Sequence, residues 1–168
     1  MKTSYYSLLI LSFIFTLPGC VEQAQENSAE QKPMVHEQGN APMQLELPDN
    51  LAGVLRQEMQ LLEKGMGELL GHIVAGRSGD AAAVALKIEK SFVLKQALTQ
   101  EELKQLVGLL PAEFITMDRK FHSDAGALAA AAEKGEFRTA MKLYTTMAES
   151  CLACHSQYAA QRFPKLAH

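Results

Sequence analysis

Between Leu51 and Ile73 the apolar residues Leu51, Leu55, Met59, Leu62, Met66, Leu69 and Ile73 recur at steps of three and four. At 3.6 residues per turn this spacing lays one continuous apolar stripe along a helix. The helix is expected to begin near Pro48-Asp49, with Asp49 or Asn50 as its cap, and to be closed by Gly76. A second helix is expected after Gly79-Asp80, turning Val84, Ile88 and Phe92 inward. Thr99-Gln100-Glu101-Glu102 has the spacing of a capping box and opens a short extra helix; Pro111 stops that helix and starts the next. The third long helix carries Phe114, Met117, Phe121, Ala125, Leu128 and Ala132 and ends at Gly135. The fourth carries Phe137, Met141, Tyr144, Met147 or Ala148, Cys151, Cys154 or His155, and Tyr158. Four amphipathic helices with short links predict an all-α fold, an antiparallel four-helix bundle with a short extra helix between the second and third long ones.

The pattern is different upstream. Lys2 precedes the apolar run Tyr5 to Leu17, which is shorter than the roughly 20 residues a membrane-spanning helix needs. A basic start followed by a short apolar run is the pattern of an export signal, expected over residues 1–19. The run ends in Leu17-Pro18-Gly19-Cys20, which resembles a bacterial lipobox. Leu17, Gly19 and Cys20 fit that pattern and Pro18 departs from it; the resemblance implies lipidation of Cys20. Residues 20–47 are rich in Gln, Glu, Asn and Pro, lack a helical apolar period, and read as a flexible tether with a solvated His36. The folded domain is expected over residues 48–168.

Composition narrows the class without choosing within it. The chain has 168 residues, 48% hydrophobic and 21% charged, which is a globular profile with room for one core. Ala, Leu, Met, Glu, Lys and Gln favour helices. A formal net charge of −3 speaks against a nucleic-acid partner, which would need a basic face.

Candidate chemistry concentrates at Cys151-Leu152-Ala153-Cys154-His155. Three uses of such a group compete. A thioredoxin-like dithiol wants its first thiol at a helix N-terminus after a strand, whereas this pair falls about four turns into a helix with no strand before it. A structural zinc site wants four tetrahedral ligands, and this cluster supplies at most three, with His72, His122 and His168 scattered singly. Covalent attachment of haem c uses every element: two thiols on one helical face to take the porphyrin's vinyl groups, and the next histidine to bind iron from the proximal side. The abundance of Ala and Met also suits helices packed around a flat apolar macrocycle.

With an exported chain, four helices and the run Cys151-Leu152-Ala153-Cys154-His155-Ser156-Gln157-Tyr158 near its C-terminus, the sequence resembles the cytochrome c-prime family and its low-spin bundle relatives, over roughly Asp49 to Phe163. Arg56-Gln57 sits where that family often has Arg-Gln in its first helix. The family tends to place an arginine directly after the aromatic of the motif; here that position is Ala159, with Arg162 further on. The resemblance implies a distal residue on the first helix within about a turn of Arg56-Gln57. Met59 fits that place, with Met66 the weaker candidate. A thioether opposite His155 would raise the reduction potential and suit an electron carrier. His122, four residues after Asp118, reads as an ordinary paired surface histidine, and His72 as incidental.

The expectation is a c-type cytochrome, either lipid-anchored through Cys20 or periplasmic, carrying single electrons at the cell envelope for a redox partner protein. No nucleophile–base pair marks it as an enzyme. A five-coordinate haem protein that binds nitric oxide or carbon monoxide is the rival within haem proteins. A haem-free envelope lipoprotein that binds a partner through its helices is the rival from another class. The family resemblance also implies a homodimer through the first two helices.

Overall fold

The structure, a computed structural model, describes residues 42–166. The expected signal segment, Cys20 and His36 lie outside the described residues, as does His168. The described chain is all-helical: α1 (Asp49–Val74), α2 (Ser78–Lys90), α3 (Leu94–Ala97), α4 (Gln100–Leu109), α5 (Ala112–Glu133) and α6 (Phe137–Tyr158). None of these helices is long and apolar enough to cross a membrane.

The α1 stripe turns inward as its spacing requires. Leu51, Leu62, Met66, Leu69 and Ile73 are buried, while Leu55 and Met59 are half-buried. The start of α1 differs from expectation. Asp49 and Asn50 are already helical, and the cap position belongs to Pro48, which has no side-chain oxygen to offer. Gly76 and Gly135 close α1 and α5 as expected, both at positive φ (67° and 71°), where a side chain would be strained. The Thr99 hydroxyl accepts from the Glu102 backbone N–H while the Glu102 carboxylate accepts from that of Thr99, so the capping box at α4 is present.

The expectation that Phe92 continues α2 fails. That helix ends at Lys90 because Ser91 turns the backbone at φ 66°, ψ 145°. Phe92 still reaches the core by another route: a β-carbon added at Gly65 of α1 would lie 3.0 Å from its ring.

Among the long helices, contacts run from α1 to α2, α2 to α5, α5 to α6, and α6 back to α1. The α2–α5 seam is the most extensive and the α1–α6 seam the sparsest. Side-chain size accounts for this. Ala81, Ala82 and Ala85 of α2 and Ala125, Ala129 and Ala132 of α5 are all buried, and small side chains let backbones approach closely. The alanines therefore serve mainly helix-to-helix packing rather than the lining of a macrocycle. α1 and α6 make the fewest contacts of these pairs, and a cavity lies between them.

Candidate functional site

A cavity of about 830 Å³ opens between α1 and α6, inside the range of about 300–1,000 Å³ typical of small-molecule and cofactor sites. One wall comes from α1. Leu55, Met59, Leu62 and Met66 form its apolar part, and the exposed Arg56, Gln60 and Glu63 form a polar edge one helical step away. The facing wall comes from α6, through Tyr144, Ala148, Cys151, Cys154, His155 and Tyr158. Phe114 of α5 adds to it, and its ring meets that of Tyr158 edge-on with centroids 5.3 Å apart.

Two segments outside the helices complete the enclosure. The turn after α6 contributes Ala159, Gln161, Arg162 and Phe163. The stretch before α1 contributes Gln44, Leu45 and Leu47, and it is tied down at two points: Gln44 forms an isolated antiparallel bridge with Ala159, and the Met43 N–H donates to the Gln157 carbonyl at 2.7 Å. The last residues of the expected tether thus lie against the end of α6.

The motif residues converge on this cavity and also on a smaller one of about 60 Å³ that Met59, Met117 and Asp118 help to line. Cys151 and Cys154 are both unpaired and half-buried. Burial pushes both thiols up. For Cys154 the negative charges of Asp118 and Cys151 add to burial and carry it to about 11. The attacking sulfur of a redox dithiol needs a shift in the opposite direction, to a lowered pKa. Among the described residues no group of three His, Cys, Asp or Glu side chains converges as metal ligands.

Burial, and then the positive charge of Arg162, hold the His155 imidazole below its ordinary pKa, against a smaller opposing pull from Glu63. It therefore keeps a free nitrogen lone pair near neutral pH, as a metal ligand must. Two thiols, an imidazole and the thioether of Met59 line one cavity of ligand size, a set of groups that could hold a covalently attached haem. Arg56 and Arg162 lie at its edge, where a guanidinium could meet a carboxylate.

His72 and His122 stand apart from the cavity. His72 accepts a hydrogen bond from Arg77 Nε at 3.0 Å and lies 3.7 Å from Asp80. His122 does pair with Asp118, at 3.5 Å, but it is not a surface residue: only 16% of its side chain is exposed, and its Nδ1 bonds the Ile88 carbonyl of α2. Both ring nitrogens face acceptors, which favours the doubly protonated form. Burial alone would lower its pKa, but Asp118, the Ile88 carbonyl and Glu58 outweigh burial and raise it.

Glu58, beside Met59 on α1, carries a role the sequence does not announce. Its carboxylate is fully buried and accepts from the backbone N–H groups of Phe92 (2.8 Å), Val93 (2.6 Å) and Leu94 (3.3 Å). It thereby ties the middle of α1 to the turn that opens α3. No protein family, curated protein or solved structure matches this chain in comparison.

Proposed function

We propose that this chain is a c-type cytochrome that carries single electrons at the cell envelope, with one haem c bonded to Cys151 and Cys154 and its iron held by His155. The observation that carries this reading is the convergence of both thiols and the imidazole on one cavity of about 830 Å³, with Met59 on the opposing wall. When bound, the haem supplies the one-electron couple; the chain supplies its place, its ligands and its shelter from water. Cys151 and Cys154, one helical step apart on α6, give the two attachment sulfurs. Met59 from α1 would offer its thioether to the iron, a soft donor that would favour the reduced state and raise the potential. The Arg56 and Arg162 guanidiniums serve the propionate edge, Arg162 standing in for the arginine that Ala159 replaces.

The architecture in this reading is an antiparallel four-helix bundle of α1, α2, α5 and α6, with α3 and α4 on the crossover between the second and third. Short links at Ala75–Arg77 and Lys134–Glu136 and the closed order of neighbouring helices support it. Residues 1–19 direct export, and Cys20 carries a lipid that holds the domain near its redox partner.

Visible spectra of the full chain, purified from a host that matures c-type cytochromes, test the reading. The expected result is a low-spin spectrum in both oxidation states that carbon monoxide does not alter. A high-spin spectrum that shifts with carbon monoxide would replace electron transfer with gas binding, and a colourless protein would remove the haem.

A further inference from the structure

Phe163 lies beyond the end of α6, and its ring stacks on the His155 imidazole with centroids 4.3 Å apart and planes 13° from parallel. Close and nearly parallel, the pair is a true stacked contact rather than chance proximity. The turn that presents Phe163 is built by successive backbone bonds. The Ala159 N–H donates to the His155 carbonyl at 3.1 Å, and the N–H groups of Arg162 and Phe163 both donate to the Ala159 carbonyl at 3.0 Å. The Arg162 guanidinium lies 5.7 Å from the centroid of the same ring. Both His155 and Phe163 line the large cavity.

The arrangement answers a problem that a ligating histidine has to solve. Rotation of the imidazole about its last side-chain bond is only weakly restricted by its own geometry. Metal-bound histidines are nearly always oriented by a hydrogen bond from the second ring nitrogen. The ring hydrogen bonds of histidines among the described residues belong to His72 and His122. What bears on the His155 ring is the face of Phe163.

We propose that Phe163 is a positioning residue, its ring fixing the plane in which the His155 imidazole meets iron. This rests on the haem reading given above. The turn from Ala159 to Phe163 then does for this chain what a second-nitrogen hydrogen bond does elsewhere, and the plane of the ligand depends on aromatic contact.

The test uses the full chain, with haem, as native protein, Phe163→Leu and Phe163→Tyr. Electron paramagnetic resonance of the oxidised proteins reads the orientation of the axial imidazole through the g values. The native protein and Phe163→Tyr should share one set of g values; Phe163→Leu should lose it, giving shifted or multiple sets. Unchanged g values in Phe163→Leu would overturn the proposal while leaving the haem in place, whereas a native protein without iron pigment would overturn the reading beneath it. A second measurement needs no variant to fold. In the reduced native protein with haem, nuclear Overhauser effects should connect the His155 and Phe163 ring protons, and their absence would overturn the stack itself.

Discussion

Removing the Glu58 carboxylate should destabilise the domain far more than its place among exposed glutamines would suggest. Glu58→Ala strips the acceptor from three backbone N–H groups, two of which are held at 2.6 and 2.8 Å. Hydrogen bonds to a charged group contribute about 1.5–3 kcal/mol each, so the two short ones together are worth about 3–6 kcal/mol. Water entering the space left by the side chain recovers part of this, which places the expected loss at about 3–4 kcal/mol, a large share of the 5–15 kcal/mol typical of a domain. Urea unfolding followed by far-ultraviolet circular dichroism measures it directly. The midpoint should fall by about 2 M with little change in slope. Glu58→Gln keeps the volume but turns amide hydrogens toward backbone donors, and should recover less than half of the loss. A decrease below about 1 kcal/mol for Glu58→Ala would refute the view that this carboxylate holds the α2–α3 turn to α1.

Three further outcomes are expected. Met59→Ala should convert a low-spin spectrum to a high-spin one, make it sensitive to carbon monoxide and lower the reduction potential; a spectrum that stays low-spin would assign the sixth ligand elsewhere. Ser91→Gly should stabilise the protein by about 1 kcal/mol or more in the same urea assay, because Ser91 sits at φ 66° with a buried hydroxyl that has no partner among the described residues; a loss of stability would count against strain at this turn. The pKa of His122 is raised in the fold, so its ion pair contributes fully below the ordinary value of 6.5 and the contribution is lost as pH rises through the raised value. Melting temperatures of native protein and His122→Gln should therefore converge on going from pH 6 to pH 8, about the range over which histidine titrates; parallel curves would contradict it.

The features that could be read in the sequence are those whose cause is local. The α1 stripe is a periodicity within one helix, and the Thr99–Glu102 box and the His122–Asp118 pair are contacts between residues three or four apart. The features that could not be read have their cause elsewhere in the chain. Nothing near Glu58 marks it as buried, because its partners lie 34–36 residues away. The same absence hides α3, a four-residue helix whose first N–H, at Leu94, donates to that carboxylate. Phe92 continues the helical period of α2 in sequence, yet a strained serine ends the helix first and the ring arrives against Gly65 by tertiary packing. His122 looked like a surface residue because the Ile88 carbonyl that covers its other nitrogen belongs to a different helix. At the candidate site the motif marked the α6 wall and the stripe marked Met59. The closing segments at Gln44–Leu47 and Ala159–Phe163 carry no periodic signal and emerge only from the fold.

The central claim is that Cys151 and Cys154 hold a haem by covalent bonds, and the most direct measurement is the intact mass and pigment of the chain after denaturation. Protein from a host able to mature c-type cytochromes should be heavier by one haem than its signal-cleaved, lipidated polypeptide and stay coloured through acid–acetone extraction, and the Cys151→Ser, Cys154→Ser double variant should lose both properties. A native chain with the mass of the polypeptide alone, or a double variant that still retains the pigment covalently, would contradict the account.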